Sequence, residues 1–564
     1  MYMGFMGSLL IVSGAIAGAA QAGDYAVEVT DQDRQRLELV KEFADNVLER
    51  GRDQWSAEDT PLFVDGLNAG TGEPVVWRYE GDEFIVSNLA SQQNLFRVLV
   101  GLSNVTGDDR YRAAAEDAIR YHVDHLLSGC GLFRWGGHQF IDLATLEPVG
   151  HFDANCHEFK CNYPFYELLW EVCEEATAEF IRAFWNAHIG DWEVLDMNRH
   201  GAYGADRGAL WENEFGDPEA YYEGDGLSFI NCGSDLIHAG GVLYQLAGEE
   251  GALTWARRLA EMYVKARHPD TGLGAYQFSK FRPGDRAERQ FAEEFGDVAR
   301  EGWVMWGHRV RLIYVLDGFV QLGMAEAMGD AGADFLHWTA DGLEALARYA
   351  YVSEDNSFRP MWADGTDLTG YTLPRDGYYG SEGLELTPLE ADEGFLMVYA
   401  RAYRLTGRDS LWETARQIAQ GLGIGDIGEQ PGQGAELAMD PSSVSAKEPA
   451  DEIIALLELH RAAPDEAYVE RARLVANSIV ANRIHEGFFL PTADHVNANF
   501  NRVEPLAILT LDATLRGEPD SVPIYMGSQE RDGYPIGSEG YIHGRFDGLG
   551  RTTDEEALWA VTRD

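Results

Sequence analysis

The chain has 564 residues, 45% of them apolar, with 14 Trp, 25 Tyr and 26 Phe; this is ample for a packed core and excludes a disordered polymer. Its 94 acidic and 44 basic side chains give a formal net charge of −50, which excludes nucleic acid as a partner because phosphates need a basic footprint. Five cysteines are too few, and odd in number, for a disulfide scaffold.

At the amino terminus an apolar run ends in "AQA", which fits cleavage after Ala22 and makes residues 1–22 a signal peptide. No Lys or Arg precedes Arg34, so the usual positive start is missing. No later stretch is long and apolar enough to span a bilayer, and a periplasmic or secreted protein, monomeric, is expected. The next feature recurs. "LVGLSNVTGDDRYRAAAEDAIRYHV" (98–123) pairs with "LYQLAGEEGALTWARRLAEMYVKA" (243–266), with "VYARAYRLTGRDSLWETARQIAQGL" (398–422) and, more loosely, with "LELHRAAPDEAYVERARLVANSIV" (457–480). Each copy is a periodic helix, a short Gly or Pro break with acidic residues, and a second helix.

A helical hairpin cannot bury its apolar face alone and must stack on neighbours. Long aromatic, Gly-rich insertions (129–166, 200–235, 355–390) separate the copies, which argues for a closed ring with its long loops at one end. The expected architecture is therefore all-α: one α/α barrel domain over residues 23–564, its hairpins starting near residue 30. Strand-like text is confined to pieces such as "EPVVWRY" and "FRWGGHQFIDL", and the tail at 520–550 reads as packed loop. The aromatic load suits sugar stacking, although core packing accounts for most of it. The acidic excess reads as a salt-adapted surface, so an anionic substrate would need a local island of Lys, Arg, His or metal.

Three segments carry candidate chemistry: "RWGGHQFIDL" with His138, "NCHEFKCNYPFYELLWEV" with Glu158, and "LDMNRHGAYG" with Arg199 and His200. The last follows an amphipathic helix, "TAEFIRAFWNAHIGDW", with Gly201 placed like a C-cap. Two imidazoles and a carboxylate suit a divalent transition metal with open positions and argue against calcium. In "NCHEFKC" a cysteine knuckle would need a second matching pair, and none exists, so Glu158 is the more economical ligand. Cys156 and Cys161 are then free thiols or a local disulfide, and the state of Cys130, Cys173 and Cys232 is open. His157 either supports the neighbouring ligand or is structural. Lys160 either reaches a substrate carboxylate or is solvated.

These three segments, in this order and spacing, resemble the family 2 polysaccharide lyases, the periplasmic pectate lyases, and the surrounding hairpins resemble that family over nearly the whole mature length. The resemblance implies an (α/α)7 barrel. It implies that His138, Glu158 and His200 hold a divalent transition metal, manganese foremost, with cobalt, nickel or zinc as alternatives. It implies that Arg199 is the Brønsted base of a β-elimination on a 1,4-linked polyuronate such as pectate or oligogalacturonate. Tyr203 is a fallback base with a milder pKa penalty. Further along, "EGWVMWGHRVR" offers Trp303, Trp306, His308 and Arg309, and "RDGYYGSEGLELTPLEADEG" offers Arg375, Tyr378 and Tyr379, as substrate-binding groups or as packing. The competing readings are the same chemistry on another uronate glycan such as ulvan, an α/α-barrel glycoside hydrolase using carboxylates such as Asp364, Glu382, Asp392 and Glu393, and a sugar-binding protein without catalysis.

Overall fold

The Gly breaks of the sequence copies are helix ends. Gly107, Gly248 and Gly407 close three helices in the left-handed conformation, at φ 75°, 69° and 65°. Each donates its N–H to the carbonyl four residues back, on Ser103, Tyr244 and Tyr403. A Cβ at these positions would meet nothing within 4 Å. The glycines therefore serve the backbone angle alone, which costs an L-residue roughly 1–2 kcal/mol. The fourth copy turns on extended backbone at Ala463, and Asp465 caps the helix that follows.

The computed structural model describes residues 27–527 apart from 80–81, 136–138, 151–155, 160, 205–207, 283, 285, 446 and 492–494. The expected signal peptide and most of the expected packed tail lie outside these. In chain order the helices are α1 (Asp31–Arg50), α2 (Gln93–Thr106), α3 (Arg110–Tyr121), α4 (Tyr166–Val172), α5 (Glu174–His188), α6 (Ile230–Ala247), α7 (Glu250–Ala266), α8 (Arg286–Phe295), α9 (His308–Arg311), α10 (Gly318–Met328), α11 (Ala333–Tyr349), α12 (Glu393–Thr406), α13 (Asp409–Gly421), α14 (Pro449–Ala462), α15 (Glu466–Arg483) and α16 (Glu504–Leu515).

The inner helices α6, α10, α12, α14, α16 and α2 follow one another around a ring, with α16 closing against α2 and α4 seated between α3 and α6. Their partners α3, α5, α7, α11, α13 and α15 pack outside, and α1 lies outside α15 and α16. Among the described residues this is a toroid of seven helical pairs. Burial follows position. The inner α6 is buried at every residue from Ile230 to Leu243, whereas the outer α7 buries one stripe through Leu253, Ala256, Leu259, Ala260 and Tyr263.

Where charge enters this core it is paired. Arg401 Nε donates to Glu458 Oε1 at 2.9 Å, and both side chains are buried. Burial alone would push the Glu458 carboxyl up, but Arg401 and Arg404 outweigh it and hold it at about 2. Removing one partner of such a pair costs about 3–5 kcal/mol.

Inner-to-outer turns are short and share one end of the ring. The long connections run from outer to inner helices and share the other end. Short ladders knit them together: Glu223–Gly224 with Lys280–Phe281, Val304–Met305 with Met361–Trp362, and Cys156–His157 with Gly201–Ala202. Both stretches that read as strands are strands, Val76–Tyr79 and Phe140–Asp142, joined through Asp82–Ser87 in a four-stranded sheet.

Candidate active site

Gly201, expected from the sequence to cap a helix, lies instead in a strand. α5 ends at His188, the chain turns through the hairpin Ile189–Asp191/Asp196–Met197, and Gly201–Ala202 then pairs antiparallel with Cys156–His157. The glycine is needed for close approach, because a Cβ there would lie 2.5 Å from His188 Nε2. His157 faces Gly201 and Cys156 faces Ala202, so the continued register sets Glu158 across from His200. Glu158 Oε2 lies 3.8 Å from His200 Nε2, and Glu158 Oε1 lies 3.5 Å from Arg199 Nη1. The Glu158 side chain is 1% exposed, against 22% for Arg199 and 36% for His200. The carboxylate thus forms the floor, and the two nitrogen groups open to the cleft.

The "NRH" segment is pinned from behind. Asn198 Oδ1 accepts the His200 N–H at 3.0 Å, and Leu227 O accepts the Arg199 N–H at 3.2 Å. Asn198 O lies 2.8 Å from His188 Nδ1. A carbonyl can only accept, so His188 carries its proton on Nδ1 and its Nε2 accepts from His157 Nδ1–H at 2.9 Å. Burial pushes His188 down to about 4 and His157 well below the usual range, so both rings are neutral near pH 7. His157 is therefore a support for this loop. All five cysteines are free thiols; Cys161 is buried, and its N–H donates to Asp235 Oδ2 at 3.1 Å.

Two opposed effects act on Arg199. Burial pulls its pKa down, the Glu158 carboxylate pulls it up, and the net shift is upward. Tyr203 is differently engaged. Its hydroxyl donates to Phe133 O at 3.1 Å and accepts from Trp135 N–H at 3.3 Å, and burial raises its pKa further. These bonds tie the strand after the "NRH" segment to the segment preceding residue 136.

The later candidates divide. Arg309 is buried, ion-paired to Glu301, and stacked over Tyr276 at 4.2 Å and Tyr379 at 4.7 Å. His308 opens α9 at an exposed position; desolvation by the surrounding protein, then the charges of Arg311 and Arg309, push its imidazole down to about 4. Tyr378 is 57% exposed at the mouth. Trp306 packs on the small apolar cluster of Phe291, Val304 and Trp362. Arg375 pairs with Glu293 at the surface, and Tyr379 donates its hydroxyl to Glu301 at 3.0 Å. His138 and Lys160 lie outside the described residues. Three residues join the site that sequence reasoning missed: Phe229, whose ring lies 5.6 Å from the Arg199 guanidinium; Tyr276, 4.9 Å from Phe229; and Arg286, 3.9 Å from the Tyr378 ring. Arg286 sits in "RPGDRAERQFAEE", which reads as an ordinary charged helix start; a cation in the first helical turn, against the dipole, was the one available signal.

Two of the four carboxylates offered for a hydrolase, Asp364 and Asp392, are engaged elsewhere. Asp364 accepts from Thr366 N–H at 2.8 Å within its own turn, and Asp392 caps α12 and pairs with Arg311.

A sequence model of the family described as periplasmic pectate lyase matches residues 60–534. The chain belongs to this family. A pectate disaccharide-lyase from Dickeya dadantii (strain 3937) is 33% identical over 521 residues, covering 86% of this chain and 89% of that protein. Among solved structures, an α-1,6-mannanase from Salegentibacter sp. HEL1_6 matches 85% of this chain and 99% of its own at 11% identity and a TM-score of 0.38. A cellobiose 2-epimerase from Bacillus thermoamylovorans B4167 matches 69% of this chain and 88% of its own at 8% identity and a TM-score of 0.39. This member of the pectate lyase family is a polysaccharide lyase. The family is periplasmic, which places the protein in the periplasm or outside the cell, and among the described residues no helix is long and apolar enough to cross a membrane.

Proposed function

We propose that the protein is a metal-dependent lyase that cleaves 1,4-linked polyuronate, pectate or its oligogalacturonates, by β-elimination to give 4,5-unsaturated uronate ends. The observation that carries this reading is the placement of Glu158 beneath Arg199 and His200 on one short ladder. The 3.8 Å between Glu158 Oε2 and His200 Nε2 is too long for a hydrogen bond. It lies within the span of two ligand bonds of about 2.0–2.2 Å each, which fits a shared cation. Glu158 and His200 would hold it from the described residues, with His138 as the third ligand. Among the described residues alone no trio of His, Cys, Asp or Glu completes such a site. Such a cation, when bound, neutralises the uronate carboxylate beside C5 and so acidifies the C5 proton.

Arg199 takes that proton in this reading. A neutral arginine at pH 7 costs about 7 kcal/mol at roughly 1.4 kcal/mol per pKa unit. Burial lowers that cost and the Glu158 carboxylate raises it, so a cation shared with Glu158 would offset the negative charge that keeps Arg199 protonated. Asn198, Leu227 and the His188–His157 pair hold the base in place, since a general base must lie within hydrogen-bond reach of its proton.

The test is a panel of pectate, oligogalacturonate, alginate and ulvan, scored by ultraviolet absorbance of unsaturated ends with and without chelator. The expected result is signal on pectate or oligogalacturonate, abolished by chelator and restored by manganese. Signal on ulvan alone would shift the substrate, and signal that survives complete metal removal would overturn the metal.

A further inference from the structure

Resting on the polyuronate-lyase reading above, we propose that Arg286, stacked on Tyr378, forms a second carboxylate-binding site beside Arg199, for a uronate other than the one that loses its proton. Among the described residues Arg286 has no carboxylate partner; its contacts are the rings of Tyr378 at 3.9 Å and Phe229 at 5.7 Å. Nearby, Arg309 is held by Glu301, Arg311 by Asp392 and Arg375 by Glu293.

The surroundings make this lone cation unfavourable without a ligand. Arg199 lies 5.6 Å from the same Phe229 ring, and Arg309 lies 5.4 Å from the same Tyr378 ring. Glu301 compensates Arg309 and Glu158 compensates Arg199, which leaves Arg286, among the described residues, as the uncompensated member of three. It is also the first residue of α8, where the helix dipole disfavours a cation. An anion removes both penalties. The guanidinium is half-buried with its face on an exposed tyrosine, which holds it rigid while leaving its N–H groups for a planar, bidentate carboxylate. The ladder that follows Glu223–Gly224 to Lys280–Phe281, and the Glu301 carboxylate that accepts the Ala287 N–H at 3.1 Å, fix the start of α8 relative to the cleft.

The test measures binding of trigalacturonate and of its methyl ester by titration calorimetry with chelator present, together with kcat and KM on trigalacturonate, for wild type, Arg286→Ala and Arg286→Lys. Arg286→Ala should weaken binding of the free acid about 10-fold or more, the scale of one charge-assisted pair, leave the ester unchanged, and raise KM more than it lowers kcat. Arg286→Lys should recover part of the loss. Tyr378→Leu, at an exposed position, should weaken acid binding in the same direction and covers the case in which Arg286→Ala does not fold. Unchanged affinity for the acid in Arg286→Ala or Tyr378→Leu, with an active wild type, overturns this site and leaves the lyase reading standing. A wild type that binds and cleaves no polyuronate overturns both.

Discussion

Replacing Arg199 by lysine or by alanine is expected to lower kcat by about 100-fold or more, the scale usual for a general base, while bound metal stays at the wild-type level. The two variants separate removal of a proton from provision of a charge. If Arg199 only paired with a substrate carboxylate, lysine would keep the charge and part of the activity. If it takes the C5 proton, reach and direction decide, and its guanidinium is set by the 3.5 Å approach to Glu158 and the backbone bond to Leu227. Lysine's amine sits on a differently shaped stem and cannot inherit that geometry. Near-normal kcat with raised KM in Arg199→Lys would mark a binding group.

His200→Ala is expected to lose bound metal and activity together. Its ring is 36% exposed on a loop held by other residues, so the fold should survive and the two losses can be read on folded protein. Elemental analysis of purified His200→Ala should show well below the wild-type metal content, and kcat should fall in proportion to occupancy at fixed metal. Glu158→Gln keeps the shape of the floor but removes the charge, and should lower metal content likewise. Wild-type metal content in both variants would remove these residues from the ligand set.

The ring was legible because three of its turns are written in glycine: Gly107, Gly248 and Gly407 are needed for their φ, and the acidic residues after them start the next helix. Other pairs were not. α4 and α5 join at Cys173 on extended backbone, and α10 passes to α11 through a tight 3-10 turn at Gly329–Gly332, so neither repeats the pattern. At the site, residue type exposed Glu158, Arg199 and His200 but could not reveal the ladder that sets them face to face, since strands of two residues have no period to read. Gly201 was misplaced for that reason: its value lies in the 2.5 Å a Cβ would leave to His188, a contact made by folding. Trp306, offered by the sequence as a substrate-binding group or as packing, lies partly buried against the cluster of Phe291 and Trp362. Arg286 meets Tyr378 across 92 positions of chain, and stacking at that separation leaves no local mark.

The most direct measurement of the central claim is the mass of the products from a defined oligogalacturonate, digested in water enriched in oxygen-18. Eliminative cleavage by the cleft around Glu158, Arg199 and His200 yields two fragments whose masses sum to that of the substrate, with no label incorporated and one fragment carrying a 4,5-unsaturated end. Fragments that together exceed the substrate by one water, with oxygen-18 at the newly formed end, would show hydrolysis and contradict the account.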